Sequence, residues 1–354
     1  FKGVANFWES TFKGDANFWE STFKGDANFW ESTFEGTVYF WESTFEGTAN
    51  FRGSTFEGTA NFWKSTFERD ANFRGSTFER DADFTGVSFK VIFFVSSEFD
   101  GTCIFVPRHV SKDSVSVFLF TKFTRPELVT ITDLNFSNAS FLRTDMSGVF
   151  LAPTGRGEEL FDETLLMKRK DLEETVKKGD PGLKLIRTVY DLLRPYLSVE
   201  SVIAEYKNLR KCLENNRMFT QASGLYIREM RLSRKLIPKW NLAERIAHVL
   251  YDGISAYGES IGRPILLLAF LIFIGGLIIN YMATPPITLG SLLRCIEIAA
   301  SVAFQLRSFQ DIRIDESTIL TDMIPLNFEI LFRIIALIIM GNIFIALRRR
   351  LERR

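Results

Sequence analysis

Residues 12–34 read FKGDANFWESTFKGDANFWESTF, two copies of an eleven-residue unit and the first residue of a third. The series Phe12, Phe23, Phe34 extends in both directions at the same spacing, to Phe1 on one side and to Phe45, Phe56, Phe67, Phe78 and Phe89 on the other. A second series runs Phe7, Phe18, Phe29, Phe40, Phe51, Phe62, Phe73 and Phe84, so the steps between neighbours alternate six and five residues. The two series place 17 of the chain's 36 phenylalanines in the first 89 residues. Two positions before each Phe lies a small or β-branched residue: Ala5, Ser10, Ala16, Ser21, Ala27, Ser32, Val38, Ser43. Neither a helical period of about 3.6 nor a strand period of about 2 fits this pattern. A fixed period implies stacked repeats. The large residue fills the axis of a coil, and the small one lets the neighbouring turn approach.

Motifs such as ANFWESTFKGD (residues 16–26 in full) and ANFRGSTFERD (residues 71–81) resemble pentapeptide-repeat proteins, in which a central Phe or Leu follows a small residue two places earlier. A later stretch matches the five-residue form more closely: Ile131, Phe136, Phe141, Met146 and Leu151 are five apart, with Val129, Leu134, Ala139, Thr144 and Val149 two before each. The resemblance implies a β-solenoid of four-sided coils. In the early part, alternating fives and sixes give about 22 residues per coil. No proline precedes Pro107, as a continuous ladder of backbone amides between coils requires. Residues 107–128 break the rhythm with Pro107 and Pro126, and only short strands are expected there. The chain starts at Phe1 in mid-repeat, which predicts further coils before it or a cut at that point.

Trp8, Trp19, Trp30, Trp41 and Trp63 each follow a core Phe directly, so alternation turns them outward. With 22 residues per coil, Trp8 and Trp30 share one face, and Trp19, Trp41 and Trp63 share another. Two readings stand: aromatic stacking along the tower, or contact with a subunit or partner, since exposed apolar stripes mark interfaces.

Composition narrows the function. The 354 residues carry 43 basic and 43 acidic side chains, which leaves none of the basic footprint of a nucleic-acid-binding protein. Cys103, Cys212 and Cys295 are too far apart for a disulfide framework or a closely spaced zinc site, and two histidines, His109 and His248, argue against a histidine metal centre. No nucleophile–base pairing, metal-ligand spacing or phosphate loop is present, so neither enzymatic activity nor a cofactor is expected.

From about residue 158 the pattern becomes helical. DETLLMKRKDLEETVKK (162–178) opens acidic and closes basic, and Gly179-Asp180-Pro181-Gly182 is a turn signal. Residues 183–236 then read as amphipathic helices with an elbow at Asn215-Asn216-Arg217. Arg228 and Glu229 are expected on a solvated helix face, and Cys212 as a small packing residue. Tyr206-x-x-Leu209-Arg210, Tyr226-Ile227-Arg228-Glu229-Met230 and Tyr257-Gly258-Glu259-x-x-x-Arg263-Pro264 resemble the linker of prokaryotic ion channels that carry pentapeptide repeats.

PILLLAFLIFIGGLIINYMA (264–283) is uncharged and long enough to cross about 30 Å of hydrocarbon. A second span runs from Ile324 to Leu347, with Glu329 and Arg333 four apart and expected to neutralise one another. Two arginines (Arg245, Arg263) precede the first span and five (Arg348, Arg349, Arg350, Arg353, Arg354) follow the second. The loop 284–323 holds three, Arg294, Arg307 and Arg313, so the positive-inside rule puts both termini in the cytoplasm. Residues 287–306 are too polar and short for a third crossing, yet apolar enough to dip into the membrane and return.

Span, re-entrant helix and span resemble the pore domain of two-transmembrane, potassium-channel-like channels. ASVAFQLRSFQDI occupies the filter position, and RIIALIIMGNIFIALRRR resembles an inner helix with Gly341 where a flexing glycine is common. The resemblance implies a multidomain α+β membrane protein with a solenoid at 1–156 (irregular at 107–128) and a cytoplasmic helical linker at 157–260. A pore domain follows at 261–354, with spans 264–283 and 324–347 around a pore helix 288–306. It further implies a multi-pass protein of a prokaryotic cell membrane, self-associated as a homotetramer with five subunits left open, that passes inorganic ions. The filter would be Ser301, Val302, Ala303, Phe304, Gln305, Leu306 and Arg307, and the gate Gly341, Asn342, Phe344 and Ile345. For Gly341 close packing of two helices is the alternative.

Selectivity stays open. A potassium filter uses glycine-rich backbone carbonyls, and no glycine lies between Gly290 and Gly341. A ring of Arg307 would favour anions. Glu297 would favour cations if it faces the pore, and would be silent if it pairs with Arg294. A cation pore is the first expectation, an anion or poorly selective pore the second. A membrane-anchored solenoid scaffold for a protein partner is the third, and a soluble DNA-mimicking repeat protein the last.

Overall fold

The computed structural model describes residues 1–108, 114–154, 159–168, 184–283, 289–306, 313–315, 318–319 and 326–352. The chain forms two compact units, Phe1–Leu236 and Ile237–Arg354. The cut at Leu236 falls inside the stretch expected as one linker. The turn signal at 179–182, the 162–178 helix beyond residue 168, and Arg353 and Arg354 lie outside the described residues.

The first unit is a four-sided β-solenoid. Parallel two-residue strands stack in four ladders, Ala5–Ala27–Ala49–Ala71, Thr11–Thr33–Thr55–Thr77, Ala16–Val38–Ala60–Ala82 and Thr22–Thr44–Thr66. One coil is 22 residues, as the alternating spacing predicts. Each ladder carries its own phenylalanine column: Phe1, Phe23 and Phe45 stack at 4.7 Å, and Phe12, Phe34, Phe56 and Phe78 at 4.6–5.0 Å. These separations match the spacing of adjacent strands, about 4.7–4.9 Å, so each ring lies flat on its copy one coil away. Across the coil the rings meet edge to face, as Phe29 and Phe40 do at 5.4 Å and 79°. Both geometries suit the aromatic quadrupole.

The alternation of Ala and Ser before the phenylalanines has a hydrogen-bonding reason. Ser32, Ser43, Ser54, Ser65 and Ser76 are buried, and each hydroxyl donates at 2.6 Å to a Phe carbonyl of the previous coil. Close approach belongs to a different residue, the glycine two positions after the Phe. A Cβ on Gly36 would lie 2.5 Å from the Gly14 carbonyl carbon, and one on Gly58 2.2 Å from the Gly36 oxygen. On the outside, Asn6, Asn28, Asn50 and Asn72 form a ladder of amide hydrogen bonds at 3.0–3.2 Å. Trp8 stacks on Trp30, and Trp19 on Trp41, which meets Trp63 edge-on. The columns end on cations, with Arg52 over Trp30 and Lys64 over Trp63.

The solenoid does not stop at Pro107. Strands Val115–Val117 and Lys122–Phe123 continue two ladders, and Phe118 stacks between Phe94 and Phe141 at 5.1 and 5.0 Å. Coil length changes here: Val91 pairs with Val115, and the last coil, Thr130 to Phe150, shortens to the regular pentapeptide length.

Helices close the end of the tower. Helix α1 (Phe161–Met167) is followed by α2 (Lys184–Leu193), α3 (Val199–Asn215) and α4 (Phe219–Ser233). Ser198 and Ser201 form a capping box that starts α3. One face of α3 then satisfies the polar groups of the last coil. Glu205 accepts from the Phe141 amide at 2.8 Å, and Asn208 donates to the Thr144 carbonyl at 2.6 Å. Cys212 and Asn216 both donate to the Val149 carbonyl. The spacing 205, 208, 212, 216 is that of one helical face. A bare sheet end would template association with other chains, and α3 covers it. Arg217, at φ 59°, makes the expected elbow.

Glu229 is not on a solvated face, whereas Arg228 stays partly exposed. Glu229 accepts from Arg210 at 2.9 Å between α3 and α4, and Arg228 pairs with Glu159 at 3.5 Å. The register of the two antiparallel helices brings the Arg210–Glu229 pair inward, which periodicity within one helix does not reveal.

Under the cap, Tyr206 accepts from the Leu160 amide and donates to Glu163, while Asp162 and Glu205 are fully buried facing one another beside Ser140. Burial lifts the Asp162 carboxyl to about 6, against weaker lowering by the neighbouring Glu205 and Ser140 side chains. Burial, and then the Asp162 charge, lift Glu205 well above the carboxylate range. These acids hold a proton when folded and release it when unfolded. The cap is therefore most stable below the ordinary carboxylate range near pH 4 and loses stability as pH rises through about 6 and beyond. Glu205→Gln keeps the acceptor for Phe141 and supplies a permanent donor toward Asp162. Its unfolding curves are expected to vary much less between pH 4 and 8 than those of the parent, at magnitudes of about 1–3 kcal/mol. Parallel pH dependence in the two proteins would show that Glu205 is not its source.

Candidate functional site

In the second unit, α5 (Leu242–Ser255) precedes α6 (Gly262–Ala283), α7 (Leu289–Ala303) and α8 (Leu326–Glu352). Helices α6 and α8 are long and apolar enough to cross a membrane, at 22 and 27 residues and about 1.5 Å per residue. Helix α7, at 15 residues, is about 22 Å long and falls short. Large apolar side chains on α6 and α8 are exposed, among them Leu266, Phe270, Leu337 and Phe344, the last at 68%.

Helix α7 packs on both long helices. Cys295, Ala299, Val302 and Ala303 are buried against Leu268 and Ile279 of α6 and Phe332, Ala336 and Ile339 of α8. The small residues on α7 bring the backbones close. So do two glycines of α6: a Cβ on Gly275 would lie 2.6 Å from the Phe332 ring, and one on Gly276 2.9 Å from the Ile296 Cα. At the other end of α7, Asn280 donates to the Ser291 hydroxyl at 3.2 Å.

The segment expected to form a filter is the carboxy-terminal end of α7. Ser301 donates to the Ile298 carbonyl, Val302 and Ala303 are buried, and Phe304 and Leu306 are exposed. Gln305 is left-handed at φ 62°. Its amide donates to the Val302 carbonyl at 3.0 Å, and the Leu306 amide to the Ser301 carbonyl at 2.8 Å. These two bonds form a Schellman motif, with Gln in the place usually held by Gly. The negative end of the α7 dipole lies at this turn. Arg307 lies outside the described residues. Arg294 and Glu297 are both exposed, and no ion pair joins them.

Glu329 and Arg333 pair at 2.8 Å on α8, with Glu329 buried. Arg333 also donates to the Gln305 side chain at 3.4 Å. The charged pair therefore reaches the turn that ends α7, a contact invisible in the i,i+4 spacing alone. Of the expected gate residues, Gly341 lies in an unbroken helix with open space where a Cβ would be. Asn342 donates to the Ile338 carbonyl and accepts from Ser255, Phe344 is exposed, and Ile345 lies by Gly258. Close packing belongs to Gly275 and Gly276 instead. Gly276→Ala is expected to lower stability by about 1–3 kcal/mol and Gly341→Ala not at all. Thermal unfolding of both variants in detergent checks this ordering. Among the described residues, no group of three His, Cys, Asp or Glu side chains is placed to hold a metal ion.

The solenoid matches a known family. Residues 1–44, 29–77 and 40–88 each match the profile of pentapeptide repeats in nine copies. These are pentapeptide repeats. The pentapeptide-repeat solenoid continues beyond the matched residues, since its ladders and phenylalanine stack run on to Phe141. An uncharacterized protein of Methanocaldococcus jannaschii is 32% identical over 251 residues, 68% of this chain and 50% of that protein. The chain thus spans half the length of this curated relative. No solved structure matches the chain.

Proposed function

We propose that the chain is a subunit of an oligomeric ion channel with a cytoplasmic pentapeptide-repeat solenoid. Helices α6 and α8 cross the membrane, and α7 enters from the outer side as a re-entrant pore helix. The observation that carries this reading is the turn after α7, contacted by the Glu329–Arg333 pair between two helices of crossing length. A charged pair is costly in an apolar span and is retained where it builds a site. Irregular backbone at membrane depth is tolerated only against protein or water, which suits residues 304–306 at a pore constriction. The resemblance of residues 300–312 and 333–350 to two-transmembrane channels supports the same placement.

A preference for cations follows from the negative end of the α7 dipole at the constriction. Without glycines between Gly290 and Gly341 the filter is not of the potassium type, so poor discrimination among monovalent cations is expected. The missing glycines also favour a second reading, a membrane-anchored solenoid scaffold that conducts nothing. One hairpin cannot enclose a water path, so a pore needs several copies about an axis, most simply a closed ring. Native mass measurement in detergent tests this. Four copies are expected, five would still close a ring, and monomers alone would eliminate the channel in favour of the scaffold.

A further inference from the structure

Helix α5 is amphipathic in an inverted sense. Its polar side faces its own unit: Ser255 donates to Asn342 at 2.9 Å, His248 and Tyr251 pack on the buried Tyr257, and Arg263 donates to the Asp252 carbonyl at 3.5 Å. The turn after it is fixed as well. Ala256, Tyr257 and Gly258 are all left-handed, and Arg349 donates to the Tyr257 carbonyl at 2.7 Å and pairs with Glu259 at 3.2 Å. With the polar side turned inward, Leu242, Ile246, Val249 and Leu250 point outward, all about half exposed or more. Trp240, just before the helix, is 84% exposed. A soluble domain does not leave such a stripe to water.

We propose that this face of α5 beds into the anionic headgroup and upper acyl layer of the bilayer, at the end of the spans where α6 begins and α8 finishes. Three observations choose lipid as the occupant. The stripe belongs to the same unit as the exposed apolar belt of α6 and α8, and α5 joins α6 through six residues, so the two surfaces meet the same membrane. The exposed cations Lys239, Arg245 and Arg263 flank it, complementary to anionic headgroups. Trp240 is the side chain favoured where apolar and aqueous layers meet. A helix of this kind lies in the interface plane with its apolar face about 5–10 Å deep. The proposal rests on the membrane-crossing reading of α6 and α8, not on conduction.

The test uses spin labels on single introduced cysteines in the full chain, reconstituted in phosphatidylcholine vesicles with and without phosphatidylglycerol. The three native cysteines are buried. Labels at Ile246 and Val249 are expected to show several-fold greater accessibility to oxygen than to a water-soluble nickel chelate. A label at Glu244 should show the reverse. The depth at Val249 should decrease without phosphatidylglycerol and in the Lys239→Gln/Arg245→Gln variant. A Phe270 label on α6 serves as the reference for the spans. If Phe270 reads as lipid-exposed while Ile246 and Val249 read as water-exposed, this inference fails and the spans stand. If Ile246 and Val249 exclude both reagents and show spin–spin broadening, a second copy covers the face and the inference fails likewise. If Phe270 itself is not lipid-exposed, the membrane-crossing reading falls and takes the inference with it.

Discussion

Glu329→Ala is expected to cost about 3–5 kcal/mol, because it removes the buried carboxylate that pairs with the Arg333 guanidinium at 2.8 Å on an apolar helix. Arg333→Ala should cost as much, since Glu329 is buried and loses the guanidinium paired with it. The double substitution Glu329→Leu/Arg333→Leu removes both charges and should be milder than either single change. Thermal unfolding in detergent, arranged as a double-mutant cycle, measures the coupling directly. In addition, Arg333→Ala removes the donor to Gln305, so any conduction should fall further in that variant than stability alone explains. Additive losses in the cycle would mean that the two side chains do not stabilise one another.

In the solenoid the largest effect is expected from Gly58→Ala. The added methyl would sit 2.2 Å from the Gly36 carbonyl oxygen and 2.3 Å from its carbon, both main-chain atoms one coil away. No side chain can rotate aside, so the coils must separate locally, and the ladder bonds and ring stacks beside them weaken. A cost of about 3 kcal/mol or more follows. Gly75→Ala is the control. Its backbone is left-handed at φ +66°, but nothing lies within 4 Å of an added Cβ, so only the left-handed penalty of about 1–2 kcal/mol applies. Melting temperatures of the two variants should fall in that order. Equal losses would show that coil contact at Gly58 is not limiting.

The solenoid was legible because its two phenylalanine series and its 22-residue coil are both strictly periodic. The outward tryptophan columns follow from the same arithmetic. What periodicity could not assign was the chemistry at each position. Small residues before the phenylalanines read as spacers, yet the serines are hydroxyl donors to the previous coil. Nothing in the periodicity marks the glycines after the phenylalanines as the place where the backbones nearly touch. The cap was missed because Glu205, Asn208, Cys212 and Asn216 find their partners about sixty residues away in the last coil. Their helical spacing was visible, but their targets were not.

In the second unit, apolar run length located α6 and α8, and the short polar-apolar mixture located α7. The pairing of Glu329 with Arg333 was also readable from the four-residue spacing. Gln305 was not, since its role depends on a left-handed turn that Gly would normally mark. Gly275 and Gly276 sit in a run of leucines and isoleucines, and only the packing of Phe332 and Ile296 against them shows what they do.

The most direct test of the proposed channel is current across planar bilayers carrying the purified full-length protein in asymmetric potassium chloride. The expected result is a current absent from protein-free bilayers, reversing nearer the potassium than the chloride equilibrium potential and shifting little when sodium replaces potassium. No current at any voltage, in bilayers where the protein is shown to have inserted, would contradict it and leave the solenoid scaffold.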